Sequence, residues 1–230
     1  MTADVVGPPE TTTDRVSPSI WGSMLARAAI AAVIALVIAF TPGHTLTFDL
    51  VAFGVLTLGS GVVVVLGTRR ARALPGRASV ITRGLLSLVV GLVAIMLAAL
   101  PDARSTATLI WLVAGWAILA GGLWVLTAWQ ARPARVLARE SVLIGPITLV
   151  LGVLVALVPP DLYQEYGGLE QVEGAMTATI QIGGLVGGYA AILAVLLAVE
   201  AFTLRGAQRR ANRNDVRIQN AADEPATEVN

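Results

Sequence analysis

Six runs of almost unbroken apolar residues occupy positions 20–40, 48–67, 82–100, 105–129, 141–158 and 177–203, each bounded by short polar or arginine-bearing stretches. A helix rises about 1.5 Å per residue, so crossing a hydrocarbon core of about 30 Å takes roughly 20 apolar residues. The runs fit that length. They are continuous, whereas a membrane strand would alternate apolar and polar positions. The pattern predicts an all-α polytopic membrane protein with six transmembrane helices arranged as three tandem helical hairpins, at 20–67, 80–130 and 138–204. Residues 1–19 form a flanking stretch rich in Pro and Thr, expected to be disordered. Its acidic Asp4, Glu10 and Asp14 stand against a lone Arg15, so it does not read as a cleaved signal peptide.

Composition strengthens the membrane assignment and removes several chemistries. Hydrophobic residues make up 56% of the 230 residues and charged ones 13%, against about a quarter charged in ordinary soluble domains. With no cysteine, there is no disulfide, cysteine nucleophile or thiolate metal site. A net charge of +1 implies no nucleic-acid partner.

The placement of the charges predicts an orientation. All 16 basic residues are arginines, and 15 lie before or just inside the first run, in or beside the second and fourth connections, or after the sixth run. Arg104 alone falls in an alternate connection; the others there carry Asp49, Asp102, Asp161, Glu165, Glu170 and Glu173. By the positive-inside rule both termini face the cytoplasm and the acidic connections face outward. The exclusive use of arginine is an association with GC-rich bacterial genomes, and the expected location is a bacterial inner membrane. The tail 205–230 is basic first and acidic last, and its arginines are expected against anionic headgroups. Trp21, Trp111 and Trp129 fall near run ends, where interfacial aromatics belong. Trp116 and Trp124 lie deeper and read as helix packing.

An internal repeat is visible. Arg27, Arg83 and Arg139 recur every 56 residues, and Pro42, Pro101 and Pro159 mark the turns at the other end. Gly54 and Gly61 match Gly115 and Gly122 at a step of 61, with Gly184 and Ala191 continuing the series; Ser87 and Gly91 match Thr148 and Gly152 at the same step. Helices in lipid associate through close backbone approach, which small residues four apart permit. Ser87/Gly91, Thr148/Gly152, Gly183/Gly187 and Gly184/Gly188 are therefore expected at helix contacts. The sixth run, richest in such pairs, is expected to pack most tightly, within the bundle or against a partner.

Tandem hairpins, proline-containing turns, and second helices reading Val-Ala-Phe-Gly-Val-Leu-Thr-Leu-Gly-Ser-Gly (51–61) and Val-Ala-Gly-Trp-Ala-Ile-Leu-Ala-Gly-Gly (113–122) resemble the HdeD-like acid-resistance membrane proteins, a family built from a short membrane repeat. The resemblance runs over about 21–205 and is clearest in the first two hairpins. The third departs, with a longer acidic connection and denser glycines. It implies an inner-membrane protein linked to acid or general stress, and it brings no catalytic residues.

Ionisable side chains inside membrane runs carry a default functional question. Arg27, Arg83, Arg139, Glu140 and Glu200 all fall near the cytoplasmic ends of their runs. They are expected to snorkel or to pair in a ring, and no charge is expected near the midplane. His44, the sole histidine, could sense external acid together with Asp49, or be an inert turn residue. Asp161, Glu165, Glu170 and Glu173 in the last acidic connection titrate near pH 4 and could discharge in acid, or form a solvated linker. No catalytic, cofactor-binding or metal-ligating residue is recognisable. The reading is a non-enzymatic acid- or stress-resistance protein in the lipid bilayer. A small channel or transporter is the alternative, and a scaffold binding a second copy or another membrane protein through the sixth helix is a third.

Overall fold

The computed structural model describes residues 18–41, 43–70, 76–130, 135–165 and 175–223. Six helices account for nearly all of them: α1 (Pro18–Phe40), α2 (Leu46–Arg70), α3 (Arg77–Ala99), α4 (Thr106–Gln130), α5 (Arg135–Ala156) and α6 (Ala178–Asp223). Five contain stretches long and apolar enough to cross a membrane; α5 contains a shorter apolar stretch, Glu140–Ala156. The chain is an all-α polytopic membrane protein. Its outward surface is a belt of Leu, Val, Ile and Met side chains such as Leu36, Val89 and Val195, as lipid contact requires.

Several boundaries differ from expectation. Pro18 and Ser19 already belong to α1, Pro18 standing where its missing N–H costs nothing; the rest of the N-terminal stretch lies outside the described residues. The tail after residue 204 continues α6 as one helix to Asp223. Between α5 and α6, β1 (Tyr163–Glu165) and β2 (Ala175–Thr177) pair antiparallel. Asp161 is exposed beside them, whereas Glu170 and Glu173 and the side chain of Glu165 lie outside the described residues.

Glycine conformation matters at two connections. Gly43 between α1 and α2 and Gly76 before α3 adopt positive φ, 80° and 69°, a region that favours residues without a Cβ. Leu100 is extended, and Pro101–Ala103 makes a single tight turn into α4.

Packing revises the hairpin picture. Consecutive helices do touch, but the closest packing joins α2 to α3, α4 to α5, and α6 back to α1. Glycine makes these approaches: a methyl at Gly91 would lie 2.6 Å from the Leu58 amide nitrogen, at Gly61 2.8 Å from the Gly84 carbonyl, at Gly121 2.9 Å from the Leu149 amide nitrogen, and at Gly187 2.7 Å from Ile38. Such backbone contact supplies dispersion where lipid offers no hydrophobic drive. The partners also correct the repeat register. Gly54 and Gly61 correspond to Ala114 and Gly121, one residue short of the expected match; a Cβ added at Gly115 or Gly122 would meet nothing within 4 Å. Gly84 and Gly91 do correspond to Gly145 and Gly152, sixty-one residues on, as expected from Ser87 and Thr148.

The sixth helix is not uniformly the tightest. Gly183 and Gly187 face α1 and the α1–α2 turn, while Gly184 and Gly188 point outward with nothing near them. α2, α4 and α6 also meet one another, so the bundle is an inner triad of these three helices, each backed by one of α3, α5 and α1.

Candidate functional site

The inner triad turns matching faces towards its centre. α2 contributes Leu56, Ser60 and Val64, α4 Trp116, Ala120 and Trp124, and α6 Tyr189 and Leu193, at four-residue steps. Between them lies a cavity of about 30 Å³, lined also by Arg27 from α1 and by Arg83, Gly84 and Ser87 from α3. Aromatic rings wall it at one end: Phe53 meets Trp116 edge to face at 5.4 Å, and Trp116 meets Tyr189 at 6.1 Å.

The charged residues are drawn inward, not outward. Arg27, expected to snorkel, is only 7% exposed and Arg83 5%. Arg27 Nη1 donates to Glu140 Oε1 at 2.8 Å, and Glu140 is 3% exposed. The Arg83 guanidinium lies over the Trp124 ring, 3.1 Å from its centre, with that of Arg27 at 5.3 Å from the same centre. A tryptophan face attracts cations, so Trp124 is more than packing. Trp116 likewise donates from Nε1 to Ser87 Oγ at 3.1 Å. Thr148 Oγ1 and Tyr189 Oη are 3.1 Å apart, while Thr148 also donates back to the Ile144 carbonyl.

Of the expected ring, the structure brings together Arg27, Arg83 and Glu140. The side chain of Arg139 lies outside the described residues, and Glu200 is half-buried on α6. The threefold pattern of arginines fails for a register reason. Because α5 follows α3 by sixty-one residues, the place held by Arg27 on α1 and Arg83 on α3 falls on Ile144, next to Gly145. Arg27 is about 13 residues from the far end of α1, or roughly 20 Å. The cavity extends from there to Trp116 and Tyr189, each about 15 Å along its helix from the start of α4 and α6. Polar groups therefore do reach the middle of the bundle.

A second pair, Asp49 buried and His44 partly so, sits at the opposite end. His44 Nδ1 and Asp49 Oδ1 are 2.9 Å apart. Asp49 belongs to the first turn of α2 and is 4% exposed, not part of an open connection. Both residues close on Gly183 of α6, where any Cβ would collide with them. His44 also meets Phe48 edge to face. Nearby, Arg104 bonds to Thr47 Oγ1 and to the Ala98 carbonyl at 3.2 Å, tying α2 to the end of α3. Sequence reasoning gave Arg104 no role; its isolation among acidic connections was the available signal. Among the described residues no group of acids and histidine is placed to hold a metal.

A quasi-threefold bundle with paired charges inside its membrane-spanning helices defines a multi-pass membrane protein assembled from a repeated helical unit. The chain belongs to the family of the short repeat of unknown function (DUF308), whose model matches twice, over residues 26–96 and 83–157. Each match begins at or beside one of the buried arginines and takes in three helices; α6 lies beyond both. No curated protein and no solved structure matches the chain.

Proposed function

We propose that this is a non-enzymatic protein of the bacterial inner membrane, both termini cytoplasmic, that supports survival in acid or under general stress in the HdeD-like manner. The observation that carries the reading is the part-buried His44–Asp49 pair at the end of the bundle opposite the arginine cluster. Histidine ordinarily takes up its proton between about pH 5 and 8. The pair ties the α1–α2 turn to the first turn of α2 where both close on Gly183 of α6, so a contact between two ionisable side chains holds three elements together at the end that external acid would reach. Deleting the gene should lower survival at low pH, with His44→Gln and Asp49→Asn restoring it less well than the parent chain. Unchanged survival of the deletion strain removes this function.

A channel or transporter is the second reading, favoured by the arginine-lined cavity. Tracer flux through reconstituted vesicles tests it. The scaffold reading draws on the outward face of Gly184 and Gly188; replacing both by Leu should abolish co-purification of a partner while leaving insertion intact.

A further inference from the structure

We infer that the cavity between Arg27, Ser60 and Arg83 is a binding site for one small monovalent anion of halide size. Charge is the first argument. Two guanidiniums and one carboxylate, all at least nine-tenths buried, face one another here, and Glu140 is engaged by Arg27. Among the described residues that line or reach the cavity this leaves one positive charge over, on Arg83. A π face attracts a cation but does not neutralise it, and an unpaired buried ion is strongly disfavoured.

Unmet hydrogen bonding is the second, independent argument. Arg83 Nη1, Arg27 Nε and Ser60 Oγ are buried without a partner, and each belongs to a residue lining the same cavity. Three donors are thus supplied by α1, α2 and α3 around one space. Buried donors in native proteins are ordinarily satisfied. Size is the third: a space of about 30 Å³ is enough for one or two water-sized particles. A dianion such as sulfate would leave the site negative, which favours a small monovalent ion.

The test uses the full-length protein in detergent, with sodium chloride against sodium gluconate at constant ionic strength as the probe. Gluconate is too bulky for the space. Chloride should raise the unfolding midpoint saturably, by roughly 3–6 °C at about ten times its Kd. Fluoride and bromide should also act, and Arg83→Gln should abolish the rise while unfolding no earlier than the parent chain in gluconate. Ser60→Ala, which leaves the charges in place, should weaken the chloride effect several-fold. A second readout needs no variant: bromide should give one anomalous peak per chain beside Arg83 in crystals. Identical midpoints in chloride and gluconate, a full chloride effect in Arg83→Gln, or bromide absent from the cavity would each overturn the assignment.

Discussion

The two buried charge clusters of this bundle are built on opposite principles. At one end His44 and Asp49 form a local pair, five residues apart, with matching capacities to give and accept a hydrogen bond. At the arginine-rich end, Arg27 and Glu140 are 113 residues apart, and Arg83 adds a second cation without a second anion among the described residues. The first closes a turn and the second joins four helices through Trp124. Burial alone therefore does not distinguish a structural pair from a site; the balance of charge and the donors left over do.

Removing the single carboxylate of the larger cluster should be the most damaging change. Glu140→Gln leaves two guanidiniums facing each other and should cost about 3–5 kcal/mol, read from the unfolding midpoint in detergent. A loss below 1 kcal/mol would mean that Glu140 is not what restrains Arg27. Gly91→Ala separates charge from packing, since it wedges α3 from the Leu58 backbone and touches neither cluster. About 1–3 kcal/mol is expected, and the same substitution at outward-facing Gly122 should change stability by less than about 0.5 kcal/mol. At the smaller cluster, Asp49→Asn keeps the shape and removes the charge, with an expected loss of about 1–2 kcal/mol. If it equals Glu140→Gln, the contrast between the clusters collapses. Trp116→Phe should be the mildest of the core changes, about 0.6 kcal/mol for a lost interhelical bond to Ser87.

Much of this architecture is legible in the chain and some of it is not. Apolar run length announces helices, because the bilayer sets a fixed distance to cross. Small residues four apart announce contact faces, and Ser87/Gly91 and Thr148/Gly152 do sit at contacts. Which neighbour they touch is invisible, since periodicity describes one helix at a time; hence the expectation of α1 on α2, where the closest partner of α2 is α3. Glycine doublets hide the face as well. Gly121–Gly122, Gly183–Gly184 and Gly187–Gly188 each place one glycine inward and one outward, about 100° apart. Only tertiary packing chooses between them. Depth along a helix made Arg27 look like a snorkelling residue, whereas its partner comes from a helix more than a hundred residues away. His44 and Asp49 were paired on chemistry; their burial against Gly183 required the sixth helix in place.

The uninterrupted length of α6 has a mechanical consequence. Its 46 residues span about 69 Å, more than twice a hydrocarbon core of about 30 Å, so some 40 Å extends beyond the hydrocarbon. Arg205 lies over the Trp21 ring at 5.0 Å, the last α6 side chain seen against α1, and Arg209, Arg213 and Arg217 follow along the shaft at four-residue steps. A rigid shaft turns tilt into travel. A change of about 10° where α6 leans on α1 would swing its far tip by roughly 5 Å, a displacement that spin labels near residue 217 could follow from the aqueous side.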